Sequence, residues 1–237
     1  MNEPNMKPVM LVTGTSRGIG KYLANYYLNN GFRVIGCSRS TCEIVNEDYT
    51  HVCIDISSDA EILNLFKMIR KDFKRLDVLI NNAAINPMIS NVVLLPYDTI
   101  QKIYKINVFA PILFSREAIK LMGRHKYGRI INMGSMATKH EVAGEALYTS
   151  TKASINAITR VLSKEVINMG ITVNVLAPSV IETDLSKAIN QDALMEVLKR
   201  NAINQYGDLI DISNLIDCLI KEESKAITGQ IVYLGGV

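Results

Sequence analysis

A tyrosine and a lysine stand four residues apart in Glu145-Ala146-Leu147-Tyr148-Thr149-Ser150-Thr151-Lys152-Ala153. On a helix that spacing puts Tyr148 and Lys152 on one face. A phenol titrates near ~10 in water, too high to exchange protons readily at neutral pH. An ammonium within a few Å favours the phenolate and pulls that value down. The pair therefore reads as a proton donor tuned by its neighbour, as general acid catalysis requires. Alone, Tyr-x-x-x-Lys is most often an ordinary surface pair, so its weight comes from the rest of the chain.

A second constellation is Thr13-Gly14-Thr15-Ser16-Arg17-Gly18-Ile19-Gly20, between an apolar run, Val9 to Thr13, and a helical pattern, Lys21 to Asn30. Strand, glycine-rich turn and helix aim backbone N–H groups at a pyrophosphate. Gly14 permits the tight turn, Gly18 lets backbone approach phosphate, and Gly20 lets the helix lie close to the strand. A purely structural turn fits the same residues.

The second strand, Arg33 to Cys37, ends at Ser38-Arg39-Ser40. A carboxylate here would accept from the 2′-OH of NAD, whereas arginine suits a 2′-phosphate. The first carboxylate is Glu43. Ser38, Arg39 and Arg17 therefore point to NADPH/NADP+ rather than NADH. The plain alternative for Arg39 is an exposed loop arginine.

The elements that must position these groups follow from apolar runs and turn signals. His51 to Ile54 reads as a third strand, ending at Asp55-Ile56, with Ser57 or Ser58 capping a helix to about Phe73. Its basic end, Arg70, Lys71, Lys74 and Arg75, reads as a solvated helix terminus. Val78 to Ile80 is a fourth strand closed by Asn81-Asn82-Ala83-Ala84. Leu95 or Pro96 opens a helical region to about Met122, with Asn107, a poor helix former, inside it. Gly128 to Met133 precedes Gly134-Ser135, and the Tyr148 helix runs to about Met169. Ile171 to Ala177 precedes Pro178-Ser179-Val180-Ile181-Glu182-Thr183. Asp184 to Gln205 is amphipathic and polar, as expected of a mobile lid. A helix, Asp211 to Lys221, and a strand, Gln230 to Leu234, close the order. Alternating strands and helices imply an α/β parallel sheet covered on both faces, with ligands at the carboxyl ends of the strands.

The chain has 237 residues, 48% of them hydrophobic, which suits a single domain with a sizeable core. A net charge of +3 is too slight to argue for nucleic acid or an anionic membrane. No apolar run approaches the roughly 20 residues of a membrane span. Cys37, Cys42, Cys53 and Cys218 lack C-x-x-C spacing and read as reduced, mostly buried thiols. Met1 to Pro8 has no signal-like apolar stretch, so the expected location is cytoplasmic.

Taken together, these motifs resemble the short-chain dehydrogenase/reductase family over nearly the whole chain. Thr13-Gly14-x-x-x-Gly18-x-Gly20 matches its cofactor motif. Asn81-Asn82-Ala83-Ala84 matches its N-N-A-G, with alanine last. Asn107, Ser135, Tyr148 and Lys152 fall in the order of its catalytic tetrad. Pro178-Ser179-x-Ile181-x-Thr183 resembles its P-G-x-I-x-T loop, with Ser179 replacing glycine. The resemblance implies a Rossmann-like, doubly wound sheet and reversible hydride transfer between a nicotinamide and a carbonyl carbon. It implies that Tyr148 protonates the carbonyl oxygen, Ser135 donates to it, and Lys152 holds the ribose. Asn107 would hold a water linking Lys152 to solvent, and Thr183 the cofactor carboxamide. Gly14, Ser16, Arg17, Gly18, Ile19, Gly20, Ser38, Arg39, Asp55, Ile56, Asn82, Ala83, Pro178 and Ile181 would complete the cofactor site.

Within the family, His125 to Ser135 and Gly170 to Val175 are similar to 3-oxoacyl-[acyl-carrier-protein] reductases. A 3-oxoacyl thioester, with acyl carrier protein as a partner, is the substrate this implies. Lys126 occupies one carrier-binding position, and Met169 stands where the other usually carries arginine. A sugar-derived, steroid-like or other small metabolite ketone is the alternative substrate. Rival classes are a non-catalytic NADP-binding protein and a nucleotide-sugar epimerase or dehydratase. The family also implies a homotetramer or homodimer.

Overall fold

A computed structural model describes residues 7–86, 90–181 and 198–236. Its strands are β1 (Val9–Thr13), β2 (Arg33–Ser38), β3 (Tyr49–Cys53), β4 (Val78–Asn81), β5 (Gly128–Met133), β6 (Ile171–Ala177) and β7 (Ile231–Tyr233). They form one sheet in the order β3-β2-β1-β4-β5-β6-β7. All six pairings are parallel. The connections run outward in opposite directions from β1 and β4, so the crevice past their carboxyl ends is the switch point of the sheet.

The helices are α1 (Gly18–Asn29), α2 (Asp59–Met68), α3 (Tyr97–Tyr104), α4 (Ala110–Met122), α5 (Ala137–His140), α6 (Ala146–Val166) and α7 (Leu209–Ile220). Every residue of β1, β5 and β6 is buried, because helices cover both faces. Val9 and Leu11 face a core shared with Phe66 of α2 and Phe114 of α4. Met10 and Val12 face the other, with Leu23 of α1 and Ile216 of α7. Ser58 is the residue that caps α2, its hydroxyl accepting from Glu61 N at 3.3 Å. Such a cap contributes about 1 kcal/mol.

Three sequence expectations need correction. The helix from Pro96 to Met122 is not continuous: a π turn, Lys105–Phe109, separates α3 from α4. Pro111 has no N–H to complete an α-helical ladder back to residue 107, and the extra residue falls just before it. The basic end after α2 is only partly solvated. Arg70 Nη1 lies 3.2 Å from the buried Glu117 carboxylate, and Arg75 Nη2 lies 2.6 Å from Asp77. The thiols are not mostly buried, since Cys53 and Cys218 are exposed and only Cys37 is fully buried. Of the expected lid, residues 184–197 lie outside the described residues. Leu198 and Asn201 are buried, and Ile203 N donates to Gly235 O at 2.9 Å.

Candidate active site

A cavity of about 860 Å³ opens at the switch point. One wall is the turn after β1, with Gly14, Ser16, Arg17, Gly18 and Ile19. Ser38, Arg39, Asp55 and Ile56 form its outer end, after β2 and β3. Asn82, Ala83, Ser135, Tyr148, Lys152, Pro178 and Ile181 line the remainder. Gly20 and Asn107 are not among the lining residues, and Thr183 lies outside the described residues.

Gly14 and Gly18 adopt positive φ, +79° and +56°, which favours glycine. A Cβ on Gly20 would overlap the Gly14 carbonyl oxygen, so only glycine lets α1 start this close to the strand. Arg17, at the N-cap, makes no side-chain cap, and the first turn holds no acidic residue. Donors left without a side-chain partner beside an open cavity suit an anionic pyrophosphate. Thr13, which the motif analysis left without a role, ties this turn to the next strand. Its Oγ1 accepts from Asn82 N at 3.0 Å and Ala83 N at 2.9 Å. Asn82 Nδ2 donates back to Thr13 O at 2.8 Å.

Helix α6 carries Tyr148 and Lys152 on the face toward β5. Lys152 is 4% exposed and donates from Nζ to Met133 O at 2.8 Å. Its burial lowers its pKa to about 8. Tyr148 behaves opposite to expectation. Burial pushes its phenol up to about 12, with the Ser135 hydroxyl opposing and the Glu145 carboxylate adding to the rise. The lysine does not reverse this: its Nζ sits 5.7 Å from the tyrosine ring centre and is engaged by the Met133 carbonyl. Tyr148 thus keeps its proton across the neutral range, the form a proton donor needs.

Ser135 Oγ accepts from Ala137 N at 3.1 Å, leaving its own proton to donate into the cavity. Asn107 is buried in the π turn. Its Oδ1 accepts from Ile85 N at 2.9 Å, and its Nδ2 donates to Ile85 O at 2.8 Å and Thr151 Oγ1 at 3.3 Å. It thereby fixes the loop after β4 against α6. Asp55 Oδ1 accepts from Ser57 N at 2.9 Å, which lowers its pKa, with Arg39 adding to the effect. Glu145 and His140 also line the cavity, although no motif singled them out.

A pH dependence follows from Lys152. As pH rises through about 8, the ammonium is lost and with it the charge that steadies a developing phenolate. Ketone reduction is expected to fall on this alkaline limb, and Lys152→Arg, always charged, to move the limb upward. A flat profile from pH 7 to 10 would contradict this.

Residues 8–194 match the family model described as short chain dehydrogenase. A 3-oxoacyl-[acyl-carrier-protein] reductase of Salmonella typhimurium is 31% identical over 235 residues, 96% of each chain. Among solved structures, ElxO with NADP bound superposes with a TM-score of 0.88 at 26% identity, covering 97% of each chain. A 4-hydroxyisoleucine dehydrogenase complexed with NADH gives 0.84 at 30% identity, over 97% of this chain and 98% of that one.

Proposed function

The chain belongs to the short-chain dehydrogenase/reductase family of NAD(P)-dependent oxidoreductases, and from that premise we propose that it uses NADPH to reduce a 3-oxoacyl thioester to the 3-hydroxyacyl thioester. The observation that carries the reading is the convergence of Ser135, Tyr148 and Lys152 on the cavity bounded by the glycine turn. When bound, the dinucleotide supplies a hydride to the carbonyl carbon. N–H groups at the start of α1 hold its pyrophosphate. Tyr148 gives its proton to the carbonyl oxygen as charge develops there, and Ser135 donates a hydrogen bond to the same oxygen. Lys152 steadies the resulting phenolate and holds the ribose. The Asn107 carbonyl, whose α-helical donor would be the N–H that Pro111 lacks, takes the water that relays protons to Lys152. By the family resemblance, Thr183 would hold the carboxamide.

The relatives named as carrier-protein reductases support the thioester substrate. Lys126 and Met169 precede β5 and β6, at the amino edge of the sheet and away from this chain's own cavity. The discriminating experiment compares kcat/KM for acetoacetyl-carrier protein, acetoacetyl-CoA and generic diketones. Equal or better use of the small ketones overturns the thioester reading. It would favour a small metabolite, the class named for the structure bound to NADH.

Arg17 and Arg39, both exposed at the cavity rim, support NADPH. Each charge-assisted bond to a 2′-phosphate contributes about 1.5–3 kcal/mol. Arg39→Asp is therefore expected to weaken NADPH binding roughly tenfold to a hundredfold. NADH binding should hold or tighten, because the new carboxylate can accept from its 2′-OH. Titration of both cofactors checks this; an unmoved preference contradicts it.

The proposed assembly is a homotetramer or homodimer through α4 and α6. Phe109, Ile112 and Val161 on and beside these helices are 58%, 40% and 58% exposed, large apolar groups that a second copy would cover. Light scattering at micromolar concentration is expected to give two or four chains, and a monomer contradicts it.

A further inference from the structure

Beneath the outer end of the cavity lies a polar network that the proposed reaction does not use. His51 on β3 points across β2 toward Ser38-Arg39-Ser40. Its Nε2 lies 2.9 Å from Ser40 O and 3.2 Å from Ser38 Oγ. Ser38 Oγ also donates to Ser40 O at 2.7 Å. A carbonyl only accepts, so Nε2 carries a proton. Nδ1 faces the Tyr49 hydroxyl at 2.8 Å, and that hydroxyl lies 3.0 Å from Thr15 Oγ1 in the glycine turn. Thr15 is fully buried, and a Cβ on Gly36 would overlap the Tyr49 hydroxyl. Glycine on β2 is thus what makes room for the network.

We infer that His51 is a positioning residue for recognition of the adenosine 2′-phosphate. This rests on the NADPH reading above. The imidazole ties the residues on either side of Arg39 to the floor of the site, and through Tyr49 it links them to the turn carrying Arg17. Both arginines are exposed and long. A fixed backbone beneath them limits the ordering that phosphate binding would otherwise demand. A ligand lacking the 2′-phosphate does not call on those arginines, so it should be indifferent to the network.

The test is calorimetric titration of 2′,5′-ADP and 5′-AMP into wild type, His51→Ala, His51→Gln and Tyr49→Phe. Wild type should bind 2′,5′-ADP more tightly. His51→Ala should weaken 2′,5′-ADP about tenfold and leave 5′-AMP within about twofold, the scale of one lost hydrogen bond. His51→Gln, whose amide N–H can reach the Ser40 carbonyl, should recover most of the loss. Should His51→Ala fail to fold, Tyr49→Phe decides: about a threefold loss confined to 2′,5′-ADP supports the inference, and an unchanged ratio overturns it. Equal losses of both ligands in His51→Ala also overturn it, since they would report only structural damage. A wild type that binds the two ligands equally overturns the NADPH reading, and this inference with it. A wild type that prefers 2′,5′-ADP beside unmoved variants overturns this inference alone.

Discussion

Tyr148→Phe is expected to lower kcat roughly 10²–10⁴-fold, the range for losing a positioned general acid. NADPH affinity should stay within about twofold, because the hydroxyl acts on the carbonyl rather than on the dinucleotide. The geometry explains why no neighbour replaces it. Ser135 can donate a hydrogen bond, but a serine hydroxyl is far too weak an acid to give up its proton. Lys152 is turned to Met133 O. The phenol, half-buried at the cavity wall and with its pKa pushed up to about 12, is a weak acid in the resting site. Its proton leaves only as charge builds on the substrate oxygen, so the hydroxyl acts in the transition state more than in the ground state. Steady-state kinetics with a good ketone, together with cofactor titration, checks both halves. Near wild-type kcat in the variant would remove Tyr148 from the mechanism.

Lys152→Met should be nearly as damaging, but in a different pattern. Methionine keeps much of the buried stem and removes the ammonium. A loss of roughly 10²–10³-fold in kcat is expected, as for removal of one preorganised electrostatic donor. Unlike Tyr148→Phe, this variant should also bind NADPH more weakly, because Lys152 is proposed to hold the ribose. The bond to Met133 O disappears too, leaving a buried carbonyl short of a partner. That cost is about 1–3 kcal/mol of stability. Kinetics, titration and thermal melting together separate the effects. A variant that loses stability while keeping kcat would make Lys152 a structural residue only.

Much of this site was legible because each motif follows a strand, and parallel strands bring their carboxyl ends to one edge. Val9 to Thr13 and Ile171 to Ala177 match β1 and β6 residue for residue, since Gly14 closes the first and Gly170 and Pro178 bracket the second. Edge strand β3 was misplaced, beginning at Tyr49 rather than His51, because only one of its neighbours is a strand and its burial is incomplete. The π turn at Lys105–Phe109 has no periodicity signal of its own; Pro111 was its one clue. The phenol's raised pKa was invisible for another reason. Spacing placed the lysine correctly, but desolvation depends on what surrounds both groups, and that is tertiary. Thr13 and His51 escaped notice because a strand-end threonine and a lone histidine carry no pattern. Their partners, Asn82 and Ser40, are respectively 69 and 11 residues away along the chain.

The most direct test of the central claim is isotopic. The enzyme is incubated with NADPH deuterated at the transferable C4 position and with acetoacetyl-CoA, and the product is read by mass spectrometry and NMR. One deuterium on the former carbonyl carbon and one NADPH consumed per alcohol formed are expected. Alcohol without carbon-bound deuterium, or no NADPH consumed with this substrate or any ketone of the panel, would contradict it.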